Sequence, residues 1–508
     1  VLICNGPGTT ANEDQMTSQP RLSAPGFDLT DPIILRSFDA EGMMPITSYL
    51  LALAAFRRGL SVTFLRNVEP GKAAPGFGAD SERAELFCVS DGTKEVVFSR
   101  SLTNLVDPRA IACASDKAMT KDILRRAHLR APAGITLDRD DQAAARAFLS
   151  SSKADRFVVK PVASSLGKGV VVNLAADEVL EQMRLSPPGR LLIEEYITGT
   201  ELRVAVVGDR VVGALILHPA NVIGDGVHTI EELASLKTVE RLKNPALRSI
   251  DGGIYLDDEK RSFLAGAGRT VSDIPAKGEK VVLSRYRSMM RGGETESALN
   301  RMNDSLKQVC VAAARAIRLP LAGIDLILSD RPETPGAFIL EVNARPHLSA
   351  HLMPTIGQSC GMALPDAVIN LHFPQSRAGR GHGDAVFDYV AVRDAMRSTA
   401  AERIALPQLS QDWQHLIVQF RSVQIRDFIM RLMRLAGATV MTAASADGQT
   451  HFLDVLLDPR TRMFLQQDRA KIKTLVPELE AAITWPDADE ARKAFRAEAV
   501  EAAKLRNG

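Results

Sequence analysis

Apolar positions along this chain recur with two different spacings. "ITSYLLALAAFRRG" (Ile46–Gly59) carries them at helical spacing and ends at a glycine suited to cap a helix. "LSVTFL" follows as a strand, and the opening "VLICNG" reads as another, so the first 110 residues are expected to form a small α/β lobe. "SDKAMTKDILRRAHLRAPAG" (Ser115–Gly134) predicts a helix, with Ser115 or Asp116 as its cap and Pro132 beyond its end. From 156 to about 220 the pattern changes to short strands: "RFVVKPV", "KGVVVNL", "RLLIEEYI" and "LRVAVVGDRVVGALIL", the last folded at "GDR" into a hairpin. "GDGVHTIEELASL" (Gly224–Leu236) is a turn leading into a helix capped by Thr229, with Glu232 three residues on. The next 40 or so residues are polar and irregular. A helix at about 300–318 precedes the strands "LAGIDLILSD" and "GAFILEVNARP". "QSRAGRGHGD" reads as a linker. After it, residues 385–508 read as strand, helix and strand with a charged final helix. No internal repeat shows.

Length and composition narrow the class. The chain has 508 residues, a soft prior of two to four domains, with 45% hydrophobic and 24% charged residues. A formal net charge of +1 gives no broad field toward nucleic acid or anionic lipid, so neither is an expected partner. Five cysteines (Cys4, Cys88, Cys113, Cys310, Cys360) lie far apart without a CxxC pair, which favours a reducing, cytoplasmic setting. No apolar stretch of about 20 residues is present to span a bilayer. "VLICNG" has no basic region before it and reads as a strand, not a signal peptide.

Three segments carry candidate chemistry. In "KPVASSLGKGVVVN" (Lys160–Asn173), a lysine at a strand end precedes a small, glycine-punctuated loop with Gly167 and Gly169 around Lys168. Such a loop lets backbone N–H groups approach phosphate oxygens; equally, it is an ordinary hairpin with a solvated lysine. It is not a Walker A motif. "GIDLIL" and "FILEVNARP" place Asp325, Glu341 and Asn343 at strand ends, with Glu341 and Asn343 two residues apart and so on one face. These are hard oxygen donors suited to Mg²⁺ held with substrate phosphates, or else polar positions on a half-buried strand. "LLIEEYITGTELRV" (Leu191–Val204) ends an apolar strand in Glu194 and Glu195 and adds Glu201 after a glycine turn. It can present backbone groups to a flat base and a carboxylate to ribose, or be a plain hairpin with exposed acids.

The order of these pieces along the chain resembles the ATP-grasp superfamily of carboxylate–amine ligases. It is most similar to the ATP-grasp module of cyanophycin synthetase and bifunctional glutathione synthetases. "VIGDGVHTIEELASL", "LSRYRSMMRGGETES" and "LAGIDLIL" look like that group's signatures, and the likeness covers about 110–372. The resemblance implies a mixed α/β and α+β chain: an N-terminal α/β lobe (1–110), an ATP-grasp domain (111–374, with its ATP lobe at about 115–205 and the magnesium-binding lobe at about 206–374), and a C-terminal α+β accessory domain (385–508), with a ferredoxin-like form as one option. It implies that Lys117 and Lys160 bind the ATP phosphates and that Ser164, Ser165, Gly167 and Gly169 form the loop covering them. Glu194, Glu195 and Ile197 would surround adenine, the last two mainly through backbone groups. Glu201 would take the ribose hydroxyls. Asp325, Glu341 and Asn343 would hold Mg²⁺, two ions being expected and Mn²⁺ able to substitute.

Arg285, Arg287 and Arg291, beside Gly292 and Gly293, would lie in the loop closing over the reacting groups. In "ARPHLSAHLMP" this chain departs from the related synthetases, which carry a smaller, glycine-containing segment there. Arg345, His347 and His351, with Arg203, are either recognition groups for an anionic or unusual amine substrate or internally paired polar residues. The implied reaction joins an amino-acid-like or peptide carboxylate to an amine through an acyl phosphate, releasing ADP and phosphate. An ATP-grasp kinase, a carboxylate–thiol ligase and a nucleotide-binding regulator without turnover are the alternatives. A homodimer is the prior for an enzyme of this size. The arginines of "DYVAVRDAMRS" and "IRDFIMRLMR" read as solvated helix faces, with dimerisation or covering the active site as the alternative.

Overall fold

The structure is a computed structural model. It describes residues 46–66, 85–162, 169–248, 250–330 and 335–376, most of 387–479, and two short strands, Ser23–Ala24 and Phe27–Asp28. The opening "VLICNG", the linker at 377–386 and the charged segment after 480 lie outside the described residues.

The strands around "GDR" form the middle of a five-stranded antiparallel sheet. Its order is Glu294–Ser297, Arg210–His218, Gly199–Val207, Leu321–Ser329 and Gly336–Asn343. Alternation gives the sheet two unlike faces. Leu202, Val204, Ile324, Leu326, Ile339 and Val342 point one way, into a core shared with the helix Asp304–Ile317. That helix begins where Asn303 accepts from the Leu306 N–H, three residues inside the range its pattern predicts. The helix Lys117–Arg126 joins the same core through Leu124. Its cap is Asp116, which accepts from the N–H groups of Ala118 and Met119; Ser115 instead donates to the Ile111 carbonyl.

A second sheet, of four antiparallel strands, has the order Gly134–Asp138, Arg190–Glu195, Phe157–Pro161 and Val171–Leu174. The helices Gln142–Ser151 and Ala176–Leu185 cover one face of it, burying Ala145, Val179 and Met183 against Val159, Leu191 and Ile193. The other face looks toward the central sheet.

A small unit is attached beside the edge strand Glu294–Ser297 of the central sheet, where Lys237 pairs with Glu294 and Arg241 donates to the Gly293 carbonyl. Thr229 and Glu232 form the expected capping box on the helix Ile230–Arg241. The stretch read as irregular contains a further helix, Asp258–Gly266, capped by Asp257. Its apolar stripe is too thin to show as a pattern: only Leu264 and the stem of Lys260 are buried.

The N-terminal lobe closes in a way the sequence does not suggest. Its sheet runs Arg403–Ala405, Ser61–Leu65, Leu86–Ser90, Glu95–Ser99 and Leu102–Thr103, so the edge strand comes from far down the chain. Phe387 and Tyr389 pack with Tyr49, Phe56 and Phe64 at centroid separations of 5.2–5.9 Å. The segment from Phe387 to Ala405, placed by the sequence with the C-terminal unit, is therefore part of the first lobe. Arg393, read as solvated, is buried on the helix Tyr389–Arg397 and bonds Asp394. The remaining C-terminal unit has its own core around the sheet Gln414–Phe420, Thr450–Leu457, Thr439–Ala446 and the helix Val423–Leu435. The first lobe is pinned to the ATP-grasp region by Arg58, whose guanidinium donates to Asp366 at 2.9 and 3.2 Å and to Asn370 at 2.7 Å.

Candidate functional site

The polar face of the central sheet carries a line of charged side chains set by strand register. Arg203 stands opposite Asp325, and Asp325 stands opposite Glu341. Arg203 makes a fork of two bonds to the Asp325 carboxylate, each 2.9 Å. That partner, outweighing burial, raises the already high Arg203 pKa further. The register slips between Asp325 and Leu326, which pairs with Ile339, so Leu340 is an extra residue in its strand. This β-bulge turns Glu341 toward Asp325. Asn343 follows opposite Gly323. Two carboxylates facing each other across strands repel. Burial first, and then the Asp325 charge, raise the Glu341 pKa.

Lysines close the other side of the cleft. Lys117, the first residue of its helix, points its ammonium at Glu341, 3.9 Å away. Burial lowers its pKa. On the four-stranded sheet Lys160 and Glu194 are diagonal neighbours across a strand pair and form an ion pair. The other Glu194 oxygen pairs with Lys121. Sequence reading did not single out Lys121; the available signal was its position four residues after Lys117, hence on the same helix face. Burial alone would raise the Glu194 pKa, but the two lysines outweigh it and hold the carboxyl below its ordinary value. With both oxygens engaged, this side chain is a lysine holder, not a free contact for a base.

Glu195 accepts from the Ser152 hydroxyl at 2.8 Å. Ile197 packs with Ile327, Phe338 and Leu340 in an apolar patch, and the Arg130 guanidinium lies 4.4 Å from the Phe338 ring centroid. Glu201 is met by Arg287 at 3.2 Å, and burial raises its pKa. Arg291 lies over the Tyr286 ring at 4.5 Å, and Arg285 is exposed. The Tyr286 hydroxyl donates to the Val170 carbonyl at 3.4 Å, joining the arginine loop to the end of the small-residue loop. Gly169 has φ +71°, a left-handed conformation that favours glycine. Ser164, Ser165 and Gly167 lie outside the described residues.

The segment after Asn343 lies down on the central sheet. A Cβ at Gly213 would come 2.7 Å from the His351 ring, so glycine there makes room for the histidine. His351 is buried, with its pKa pushed down to about 3, mainly by burial. It therefore does not line the cleft as a substrate contact. His347 is exposed, yet the protein around it and the Arg203 and Arg100 charges lower its pKa. Arg345 is half-buried. Ser101 of the first lobe donates to the Pro346 carbonyl at 3.1 Å, which brings that lobe to the edge of the cleft.

Asp325, Glu341 and Asn343 fit a magnesium ion. They stand on two adjacent strands, with Asp325 opposite Glu341 and Asn343 two residues beyond it, and a dication would offset the repulsion of the facing acids. Among the described residues no three His, Cys, Asp or Glu side chains are grouped to hold a metal. Two acids and an amide thus suit an ion completed by ligand oxygens rather than a closed structural site.

Comparison with known proteins identifies the domain that carries these residues. Residues 114–221 and 280–360 match the RimK-like ATP-grasp domain. The chain therefore contains an ATP-grasp domain, a mixed α/β fold with several antiparallel sheets. The small unit around Ile230–Arg241 falls between the matched segments. The glutathione biosynthesis bifunctional protein GshAB of Clostridium perfringens is 28% identical over 339 residues, 64% of this chain and 41% of that protein. Its counterpart in Enterococcus faecalis is 30% identical over 270 residues, 51% of this chain and 35% of that protein. The chain thus spans less than half the length of these relatives. Among solved structures, a bifunctional glutathione synthetase from Pasteurella multocida aligns over 65% of this chain and 44% of that one, at 23% identity and TM-score 0.48. D-alanine–D-alanine ligase from Bacillus anthracis aligns over 53% and 71%, at 15% identity and TM-score 0.33. No helix among the described residues is long and apolar enough to cross a membrane.

Proposed function

We propose that this protein is an ATP-dependent ligase that joins an amino-acid-like or peptide carboxylate to an amine. The observation that carries the reading is the meeting of Lys117 with Glu341 at 3.9 Å. It puts a cation suited to phosphate directly beside a pair of acids suited to magnesium.

In this reading Lys117 and Lys160 hold the ATP phosphates, Ile197 and its apolar neighbours face adenine, and Glu201 takes the ribose hydroxyls. Arg287, now on Glu201, is displaced by the ribose and freed toward the phosphates. Asp325, Glu341 and Asn343 would hold magnesium, which would supply positive charge to offset that of the phosphates. The substrate carboxylate attacks the γ-phosphorus and ADP leaves. Carboxylate and phosphate are both anionic, so the lysines and arginines must offset their repulsion as the bond forms. The amine then attacks the acyl carbon, loses a proton, and phosphate departs with the former carboxylate oxygen. The arginine loop tied by Tyr286 to Val170 supports a closed site in which water does not compete for the acyl phosphate. No protein nucleophile is required. The relatives named for glutathione biosynthesis support an amino acid or small peptide as the carboxylate donor.

The test is ADP and phosphate release from MgATP with pools of amino acids, peptides and small amines, followed by mass spectrometry. A new mass equal to two substrates minus water is the expected result. A stable phosphorylated substrate would make the protein a kinase, and a thioester would make it a thiol ligase. ATP binding without turnover against every pool would favour a regulator.

A further inference from the structure

Lys121 is buried in the cleft wall, 3% exposed, and shares Glu194 with Lys160. Glu194 is itself 2% exposed and Lys160 8%. A Cβ at Gly134 would come 2.9 Å from the Glu194 Cγ, so the strand beside it leaves the carboxylate no side chain to push against. The charges facing Lys121 are Glu194 on the strand Arg190–Glu195, Lys160 on the next strand and Arg125 on its own helix. Two ammonium groups and one carboxylate leave this buried cluster with a net positive charge next to Lys117.

We propose that Lys121 is a positioning residue for nucleotide binding: by holding one oxygen of Glu194 it keeps that acid from neutralising Lys160, which stays charged and fixed toward the phosphates. The proposal rests on the reading that Lys160 meets the phosphates of ATP. Without the Lys121 charge, Glu194 and Lys160 form a closed neutral pair, and the attraction for an anion falls. Burial, offset in part by Glu194, pushes the Lys121 pKa down to about 8. Its proton is therefore lost in an accessible pH range, and the positive cluster with it.

The experiment measures MgATP affinity of the full chain from pH 6.5 to 9.5 by calorimetry. Wild type, Lys121→Arg, Lys121→Met and Lys160→Met are compared, with folding checked by circular dichroism. Wild type should lose affinity above pH 8, by roughly tenfold at pH 9. Lys121→Arg, whose guanidinium keeps its proton throughout, should bind well and lack that loss. Lys121→Met should bind roughly tenfold or more weakly at pH 7 and show no inflection near pH 8. A structural role alone would lower the melting temperature without moving the pH profile. Equal pH profiles for wild type and Lys121→Arg overturn the proposal, even if Lys121→Met fails to fold. A folded Lys121→Met that binds like wild type also overturns it. If Lys160→Met binds MgATP as wild type does, the phosphate assignment itself fails, and the proposal with it; a failure confined to the Lys121 variants leaves that assignment standing.

Discussion

At the scale of single residues, Asp325 does two jobs. It neutralises Arg203 through a two-bond fork and faces Glu341 as one of the three residues of the candidate metal site. Truncation to alanine would leave the half-buried Arg203 guanidinium without its partner and should destabilise the fold. Asp325→Asn keeps the shape and removes the charge. It should therefore fold, yet lose turnover by more than the roughly 10–100-fold that outer-shell changes at metal sites produce. Steady-state ADP release at saturating MgATP checks this; activity within tenfold of wild type would remove Asp325 from the site. Glu341 stood out in the sequence because the apolar run "FIL" stops at an acid there, where burial is costly, and Asp325 because it is a lone acid inside an apolar strand. Lys121 did not, because a lysine in "KAMTKDILRR" looks like any solvated helix position until Glu194 is placed against it. The histidines were ambiguous for the same reason. Only the sheet under His351 shows that it is packed and neutral.

At the scale of elements, strand register does the positioning. Residues two apart share a face, which made the Glu341–Asn343 pair readable. The bulge at Leu340 was not readable, since "FILEVN" does not show which residue is extra. The irregular stretch after Leu236 hid the helix Asp258–Gly266, whose support is one cap and one buried leucine rather than a periodic stripe. Gly213 lets the segment after Asn343 settle on the sheet, with no side chain between strand and His351. Gly213→Ala would force ring and strand apart and should destabilise by about 1–3 kcal/mol. Chemical denaturation measures that directly. An unchanged midpoint would mean that the segment lies elsewhere.

At the scale of the whole molecule, the chain returns to its start. The aromatic cluster of Tyr49, Phe56, Phe64, Phe387 and Tyr389 binds a segment after the ATP-grasp region into the first lobe. Ser101 of that lobe reaches the Pro346 carbonyl beside the cleft, so the return segment helps hold a wall of the site. Phe387→Ala should therefore cost about 3–5 kcal/mol and lower the thermal midpoint, although it lies outside the ATP-grasp domain. An unaffected midpoint would contradict this packing. The sequence placed this segment with the C-terminal unit because a glycine- and arginine-rich stretch before it looks like a boundary. Nothing local shows that its aromatics complete a core more than 300 residues away. For the whole molecule, the proposed function is activation of a carboxylate by ATP. Its most direct measurement supplies MgATP, an amine pool and amino acids labelled with oxygen-18 in the carboxylate, and reads the mass of the released phosphate. Phosphate carrying one heavy oxygen, with ADP and a condensed product, is the expected result, because the attacking oxygen leaves with the phosphate. Unlabelled phosphate accompanying that product would contradict the acyl-phosphate route.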